Sequence, residues 1–99
     1  MFDLVNNEDY KCVIKFVEED RLELHLEVFN FTPRTYREMR VIFEEAKVEF
    51  ANNGFSILYA FSPAPKFVKS ISKTDSSSTF WQDGVRYELF IWNLIGLED

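Results

Sequence analysis

The stretch that decides the fold is residues 31–54, FTPRTYREMRVIFEEAKVEFANNG. Thr32 is a favoured N-cap residue, and Pro33 suits the first helical position because its missing N–H would have no partner there. Gly54, after two asparagines, is suited to end the helix in a left-handed conformation. Phe31 and Tyr36 are spaced to pack together across the helix entry. Apolar residues at helical spacing predict one buried stripe, formed by Tyr36, Met39, Ile42, Phe43, Ala46 and Phe50.

Two strands are predicted before this helix. Residues 10–17, YKCVIKFV, are rich in β-branched and aromatic side chains, and residues 22–28, LELHLEV, alternate strictly between apolar and polar. The polar residues 18–21 between them favour an antiparallel hairpin. One face of the second strand carries Leu22, Leu24, Leu26 and Val28, and its other face carries Glu23, His25 and Glu27.

The region after the helix predicts a second strand–helix unit. Residues 55–61, FSILYAF, are nearly all apolar, which is typical of a strand covered on both faces. Because this strand follows a strand and a helix, a parallel crossover is expected. The sequence Ser62-Pro63-Ala64-Pro65 should end the strand, and Phe67, Val68 and Ile71 share one face of a short helix.

A closing hairpin is predicted near the carboxyl terminus. Asp83-Gly84 is a strong hairpin turn signal between residues 79–81 and 85–92, whereas residues 73–79, with three consecutive serines, are expected to form a polar loop. The predicted order is therefore β-β-α-β-α-β-β. This order corresponds to an α+β fold with an α/β-like mixed sheet, in one domain spanning residues 1–99.

Composition limits the classes of partner. The chain has 99 residues, 46% of them hydrophobic, and 17 acidic against 11 basic side chains give a net charge of −6. Such an acidic chain repels polyanions, so binding to nucleic acid or to an anionic membrane is not expected. No apolar run reaches the ~18 residues of a membrane span and no signal region follows Met1, so a soluble, cytoplasmic protein is expected.

Cysteine and aromatic content add two expectations. Cys12 is the single cysteine, which excludes an intramolecular disulfide and a site built from several cysteines, and no metal-ligand spacing is present. Eleven Phe, four Tyr and two Trp exceed what a small core usually needs. Core packing is the default explanation for these side chains, but part of this aromatic surface is a candidate interface.

The segments NGFSILYAFSPAPKFVKSI (residues 53–71) and FWQDGVRYELFIW (residues 80–92), placed after the long helix, resemble the GNAT superfamily of N-acetyltransferases. The resemblance spans about residues 10–92 and corresponds to the C-terminal two-thirds of that fold. The family's usual N-terminal strand and helix pair is expected to be lacking, because residues 1–9 alone precede the first predicted strand. Short GNAT-like proteins of this kind occur in bacteriophages as virion components and anti-defence factors, which implies the host cytoplasm or the virion as location.

The family's cofactor motif does not carry over. GNAT enzymes hold the acetyl-CoA pyrophosphate on backbone N–H groups of a Gln/Arg-x-x-Gly-x-Gly/Ala loop at the start of the central helix. The matching residues 29–36, FNFTPRTY, contain no glycine, and Pro33 has no N–H to donate. We therefore expect no cofactor. If acetyl-CoA is bound after all, the candidate residues are Thr32, Arg34, Thr35 and Arg37.

Catalytic candidates are implied by the same resemblance. Family members often use a strand carboxylate or a bound water as general base and a tyrosine as general acid. Glu27 and His25 are candidates for the base and Tyr59 for the acid, whereas Phe67 stands near the position of the family's tyrosine. A Cys12–His25 pair on adjacent strands is a further alternative. An ordinary solvated strand face explains the polar residues equally simply.

Two functions from different classes remain. The first is a noncatalytic domain that acts by binding another protein, with a second copy of the chain, a virion component or a basic host factor as partner. A parallel sheet edge, opened by the lack of N-terminal elements, is the expected contact surface, since unpaired edges invite pairing. The alternative is a minimal acetyl-CoA-dependent N-acetyltransferase with an atypical pyrophosphate loop.

Overall fold

The computed structural model describes residues 1–62 and 65–99, with the backbone alone for Pro65. The predicted strand end at residues 62–65 includes Pro63 and Ala64, which lie outside the described residues. In chain order the elements are β1 (Phe2–Asn6), β2 (Tyr10–Glu18), β3 (Arg21–Val28), α1 (Pro33–Asn52), β4 (Ile57–Ser62), α2 (Pro65–Ile71), β5 (Ser76–Gln82) and β6 (Val85–Asn93).

All six described strands form one mixed sheet in the order β1-β2-β3-β4-β6-β5. β3 and β4 are parallel and are connected through α1, so the predicted crossover is confirmed. The other neighbouring strands pair antiparallel. The expectation of an open parallel edge is wrong, because the parallel pair lies in the middle of the sheet and β1 and β5 form its edges. The α+β class with a mixed sheet is confirmed.

The long helix begins and ends as predicted. The Thr32 side chain accepts a hydrogen bond from the Thr35 N–H at 3.1 Å, and Pro33 opens the helix. The rings of Phe31 and Tyr36 meet edge to face with centroids 6.1 Å apart. Gly54 has φ of 89°, the left-handed conformation expected just after the helix.

β1 is a strand that the predicted order omits. Its residues pair antiparallel with β2, with Phe2 opposite Ile14 and Asn6 opposite Lys11. The Phe2 ring packs at centroid distances of 5.7 Å from Phe16 and 6.4 Å from Phe50 of α1. Pairing with a longer neighbour and these ring contacts stabilise a five-residue segment whose own pattern is too short to predict a strand.

The serine-rich segment predicted as a loop is also part of a strand. β5 begins at Ser76, and Ser76, Ser77 and Ser78 pair with Ile91, Phe90 and Leu89 of β6. At the turn, Asp83 and Gly84 both have positive φ, of 53° and 78°, as a type I′ hairpin requires. This two-residue turn fixes the register, and the backbone ladder then continues through serines that have little strand preference of their own.

Both helices pack on one face of the sheet, which we call the helix-covered face. Ile14, Leu22, Phe90 and Trp92 on this face are at most 2% exposed. They pack with the buried side of α1, so the apolar stripe predicted for the helix is confirmed. This side of α1 is formed by Met39, Phe43, Ala46 and Phe50, and α2 contributes Ile71.

The other face, which we call the open sheet face, carries no helix among the described residues. The register places Val13, His25, Tyr59 and Leu89 on this face, and every described side chain on it is half-buried or exposed. The expectation that the FSILYAF strand is covered on both faces is therefore wrong. Phe61 in that strand is 45% exposed.

Candidate functional site

Two of the predicted catalytic candidates, His25 and Tyr59, lie beside Glu23 on the open sheet face. Glu23 of β3 lies opposite Tyr59 of β4 in the register, and His25 Nε2 lies 3.3 Å from Glu23 Oε1. Burial, and then the charges of Glu23 and Glu18, raise the pKa of the Tyr59 hydroxyl, so this phenol keeps its proton at neutral pH. The group therefore offers an imidazole and a phenol beside one carboxylate, on a surface that solvent reaches.

Glu27 is not part of this group. It lies on the same face of β3 but one step beyond His25, it is exposed, and it makes none of the ion pairs found in the part of the chain that the structure describes. The carboxylate that contacts the imidazole is that of Glu23. The side chain that we singled out as the carboxylate base is thus a neighbour of the group and not a member.

The Cys12–His25 pair considered from the sequence is wrong. Cys12 pairs with Leu26 in the register of β2 and β3, whereas His25 pairs with Val13. Because successive residues of a strand point to opposite faces, the thiol and the imidazole lie on opposite sides of the sheet. Burial also raises the pKa of the Cys12 thiol to about 12, which leaves almost no nucleophilic thiolate at neutral pH.

The entry of α1 has few backbone amides free for an anion. Pro33 has no N–H, the Thr35 N–H donates to Thr32 Oγ1 at 3.1 Å, and the Tyr36 N–H donates to the Thr32 carbonyl at 3.0 Å. Arg34 is left as the one residue of this first turn whose N–H has no described partner. A diphosphate is usually held by several converging amides at a helix start, and this entry does not present them.

The side chains at the same entry are engaged within the protein, with one exception. The Thr35 hydroxyl lies 3.0 Å from the Thr32 hydroxyl, and Arg34 Nε lies 3.2 Å from Glu38 Oε1. Arg37 is exposed and makes no ion pair among the described residues. α1 packs on the helix-covered face, so the structure does not bring the four cofactor candidates together with His25 and Tyr59.

The two parallel strands stop pairing partway along their length. The register of β3 and β4 begins at Arg21 with Ile57 and ends at Leu24 with Ala60, although β3 continues to Val28. In mixed and parallel sheets, a crevice at the carboxyl ends of diverging strands is a common place for ligands. This divergence was not visible in the sequence, because both strands keep their apolar pattern throughout.

A row of aromatic rings lies on the open sheet face. Apart from Tyr59, none of these residues was among the site residues predicted from the sequence. We call this row the aromatic cluster: Tyr59 and Phe61 of β4, Phe80 of β5 and Tyr87 of β6. Neighbouring ring centroids are 5.7, 5.3 and 5.6 Å apart from Tyr59 to Tyr87. The excess of aromatic residues was the signal in the sequence, and the register shows where part of it lies.

Two further properties concern metals and membranes. Among the described residues, no three His, Cys, Asp or Glu side chains gather in a way that would hold a metal ion. In the same ranges, no helix combines the length and the apolar character that crossing a membrane requires.

Comparison with protein-family models and with curated proteins finds no match. Among solved structures, the chain is similar to one described as "Crystal structure of a putative phosphinothricin N-acetyltransferase", with 18% sequence identity and a TM-score of 0.47. The match covers 86% of this chain and 59% of that one. The chain thus spans less than two thirds of the length of that protein.

Proposed function

We propose that this chain is a noncatalytic domain, on an acetyltransferase-like scaffold, that acts by binding another protein through its open sheet face. The observation that carries the proposal is the aromatic cluster on a face that no described helix covers. Soluble domains usually bury such rings, and aromatic side chains are enriched at the centres of protein interfaces. Phe61, at 45% exposure, is the ring most available to a partner.

The helix entry supports the noncatalytic part of this proposal. With Pro33 lacking an N–H and the Thr35 and Tyr36 amides engaged, the entry offers no nest for a pyrophosphate. A domain that binds no cofactor has no acyl donor. A general base and a general acid on the sheet then have no reaction to catalyse. Glu23, His25 and the hydroxyl group of Tyr59 then serve as a polar border at one end of the aromatic cluster, as interfaces commonly have.

The edge of the sheet is no longer the proposed contact. β1 and β5 are both short edge strands, and β5 carries exposed serines, features that limit edge-to-edge pairing. The partner classes remain a second copy of the chain, a virion component or a basic host factor. The net charge of −6 favours the basic factor electrostatically, and the first test below separates it from self-association.

The proposal is tested with two adjacent residues of β5 that lie on opposite faces. Phe80→Ser removes a ring of the aromatic cluster, and Trp81→Ser removes a ring that is 69% exposed on the other face. Light scattering across concentrations reports self-association, and affinity capture from host lysate or virions reports a partner. We expect Phe80→Ser to lose the association and Trp81→Ser to keep it. A strictly monomeric chain that captures nothing contradicts the proposal.

A second function is favoured by the divergence of β3 and β4 beyond Leu24 and Ala60, toward the end of β3 that leads into α1. In this alternative the chain is a minimal acetyl-CoA-dependent N-acetyltransferase, and Arg34 and Arg37 hold the phosphates through their side chains. Calorimetry with acetyl-CoA tests it directly. Ligand at 100 times its dissociation constant raises stability by about 2.7 kcal/mol, and an Arg37→Gln variant should lose that gain. No shift at saturating acetyl-CoA rejects the alternative.

A further inference from the structure

An apolar cavity of about 240 Å³ lies between the helix-covered face and the two helices. Its wall includes Tyr10 and Cys12 of β2, Met39 and Phe43 of α1, Phe67 of α2 and Trp92 of β6. Leu26 and Phe61, at 36% and 45% exposure, also line it, so the cavity reaches the surface where β3 and β4 diverge.

The size of this cavity is unusual for a packed core. Protein interiors have few voids larger than a water molecule, and an engineered cavity of ~150 Å³ lined by apolar side chains stays dry and binds benzene. A space of 240 Å³ is larger than that and has room for about ten non-hydrogen atoms on the same scale. Its wall therefore favours an apolar guest over water.

Two residues that line the cavity each have a buried polar atom without a partner among the described residues. The Tyr10 hydroxyl and Trp92 Nε1 are both buried and make no hydrogen bond in the part of the chain that the structure describes. Burying a polar group without a partner is costly, and native proteins rarely do it without a reason. Because the indole N–H is only a donor and the phenol can donate, both are satisfied by a hydrogen-bond acceptor.

Charge excludes an anion as the guest. No Lys, Arg or His is among the described residues that line the cavity. Burial raises the pKa of the Tyr10 hydroxyl most, and the carboxylate of Glu38 is the charge that adds most to this rise. An anionic guest would be desolvated with no counter-charge and repelled by this carboxylate. The acceptor therefore belongs to a neutral group.

We propose that the cavity is a binding site for a neutral, mostly apolar molecule of about ten non-hydrogen atoms that carries a carbonyl-type acceptor. Trp92 Nε1 and the Tyr10 hydroxyl are the groups that recognise the acceptor, and the apolar wall holds the remainder. The site lies on the helix-covered side of the sheet and shares only Phe61, at its opening, with the aromatic cluster. It does not depend on the proposed docking function.

Three probes of equal size separate the contributions. Acetophenone has a neutral carbonyl oxygen, α-methylstyrene has a CH₂ group in place of that oxygen, and benzoate is an anion. Binding to the full chain is measured by NMR titration. We expect acetophenone to bind roughly 2- to 10-fold more tightly than α-methylstyrene, the ratio of one net hydrogen bond, and benzoate not to bind. Equal binding of the two neutral probes, or no binding of either, overturns the proposal.

Four conservative variants locate the effect. Trp92→Phe and Tyr10→Phe each remove the unpartnered donor of a residue that lines the cavity, and we expect each to reduce the preference for acetophenone. Trp81→Phe and Tyr87→Phe make the same chemical changes outside the cavity and should leave the preference unchanged. Since the measured quantity is a ratio of two affinities in one variant, a general loss of stability does not alter it. An unchanged ratio in both cavity variants overturns the proposal, and Tyr10→Phe keeps the test available if Trp92→Phe does not fold.

Discussion

The two faces of the sheet are built from the same strands but have different surroundings. Leu58 and Ala60 of β4 are nearly inaccessible under the helices, whereas Tyr59 and Phe61, the alternate residues of the same strand, lie on the open sheet face. Both sets are apolar, so the alternation of polarity that usually marks one wet face is absent from this strand. The apolar character of the β4 side chains therefore does not predict which face of the sheet a helix covers. The difference in burial between the two faces can be tested by substituting residues on each.

The largest expected difference is in stability. Phe90→Ala removes a ring with 0% exposure from the helix-covered face and should lower the free energy of unfolding by about 3–5 kcal/mol, because the packed wall cannot collapse around the space. Phe80→Ala removes a half-buried ring from the open sheet face and should cost well under half of that. Urea denaturation measures both. Equal losses would show that the open sheet face is as tightly packed as the other.

The reactivity of Cys12 sharpens the same comparison. With a pKa of about 12 against a usual value near 9, the folded thiol should react with iodoacetamide at pH 9 about 500-fold more slowly than the urea-unfolded chain, because thiolate is the reacting form. The shift also makes stability fall as pH rises from about 9 toward 12, since the unfolded chain ionises first. Similar alkylation rates in both states would place Cys12 outside the core.

A smaller effect is expected at the start of α1, which supplies most of the cover on one face. Thr32→Ala removes the hydroxyl that accepts from the Thr35 N–H and should cost about 1 kcal/mol of unfolding free energy. Thr79→Ala, at an exposed position of β5, is the matched control and should change stability by less than about 0.5 kcal/mol. Thermal unfolding of the two variants gives the comparison, and equal shifts would rule out the capping role.

The smallest effect is electrostatic and belongs to the open sheet face. Glu23→Gln removes a negative charge that raises the pKa of Tyr59, so the phenol should ionise at a lower pH in this variant. NMR titration of the tyrosine rings at alkaline pH follows the change. Glu27→Gln removes the same charge four residues further along the strand and should leave Tyr59 unaffected. If Glu27→Gln has the larger effect, the register of β3 on β4 is different from that described.

Most of the fold could be predicted because its main signals are local. Thr32, Pro33 and Gly54 mark the helix ends by their own chemistry, and Asp83-Gly84 specifies its hairpin without help from distant residues. β1 and the serines of β5 could not be predicted, because their strand conformation comes from the neighbouring strand that they pair with. Strand propensity is a property of one segment, whereas the conformation of an edge strand also depends on the neighbouring strand with which it pairs.

The candidate site was less predictable, for a different physical reason. Alternation placed Glu23 and His25 correctly on one face of β3, but only the register could show that Cys12 faces the other way and that Glu23 lies beside Tyr59. The volume of the cavity is set by the distance between the sheet and the two helices. The pattern of apolar residues in the sequence does not predict that distance. The unpartnered atoms of Tyr10 and Trp92 likewise follow from tertiary placement, since both residues look like ordinary core aromatics in the sequence.

The short parallel ladder of β3 and β4 has a mechanical consequence. The backbone connects the antiparallel halves of the sheet, β1–β3 and β4–β6, through four register pairs, from Arg21 with Ile57 to Leu24 with Ala60. The first half is held together by the β1–β2 and β2–β3 hairpins, and the second by the β5–β6 hairpin and the antiparallel pairing of β4 with β6. A stretching force, or a rare thermal opening, should therefore split the molecule along this seam and leave the hairpins intact on either side.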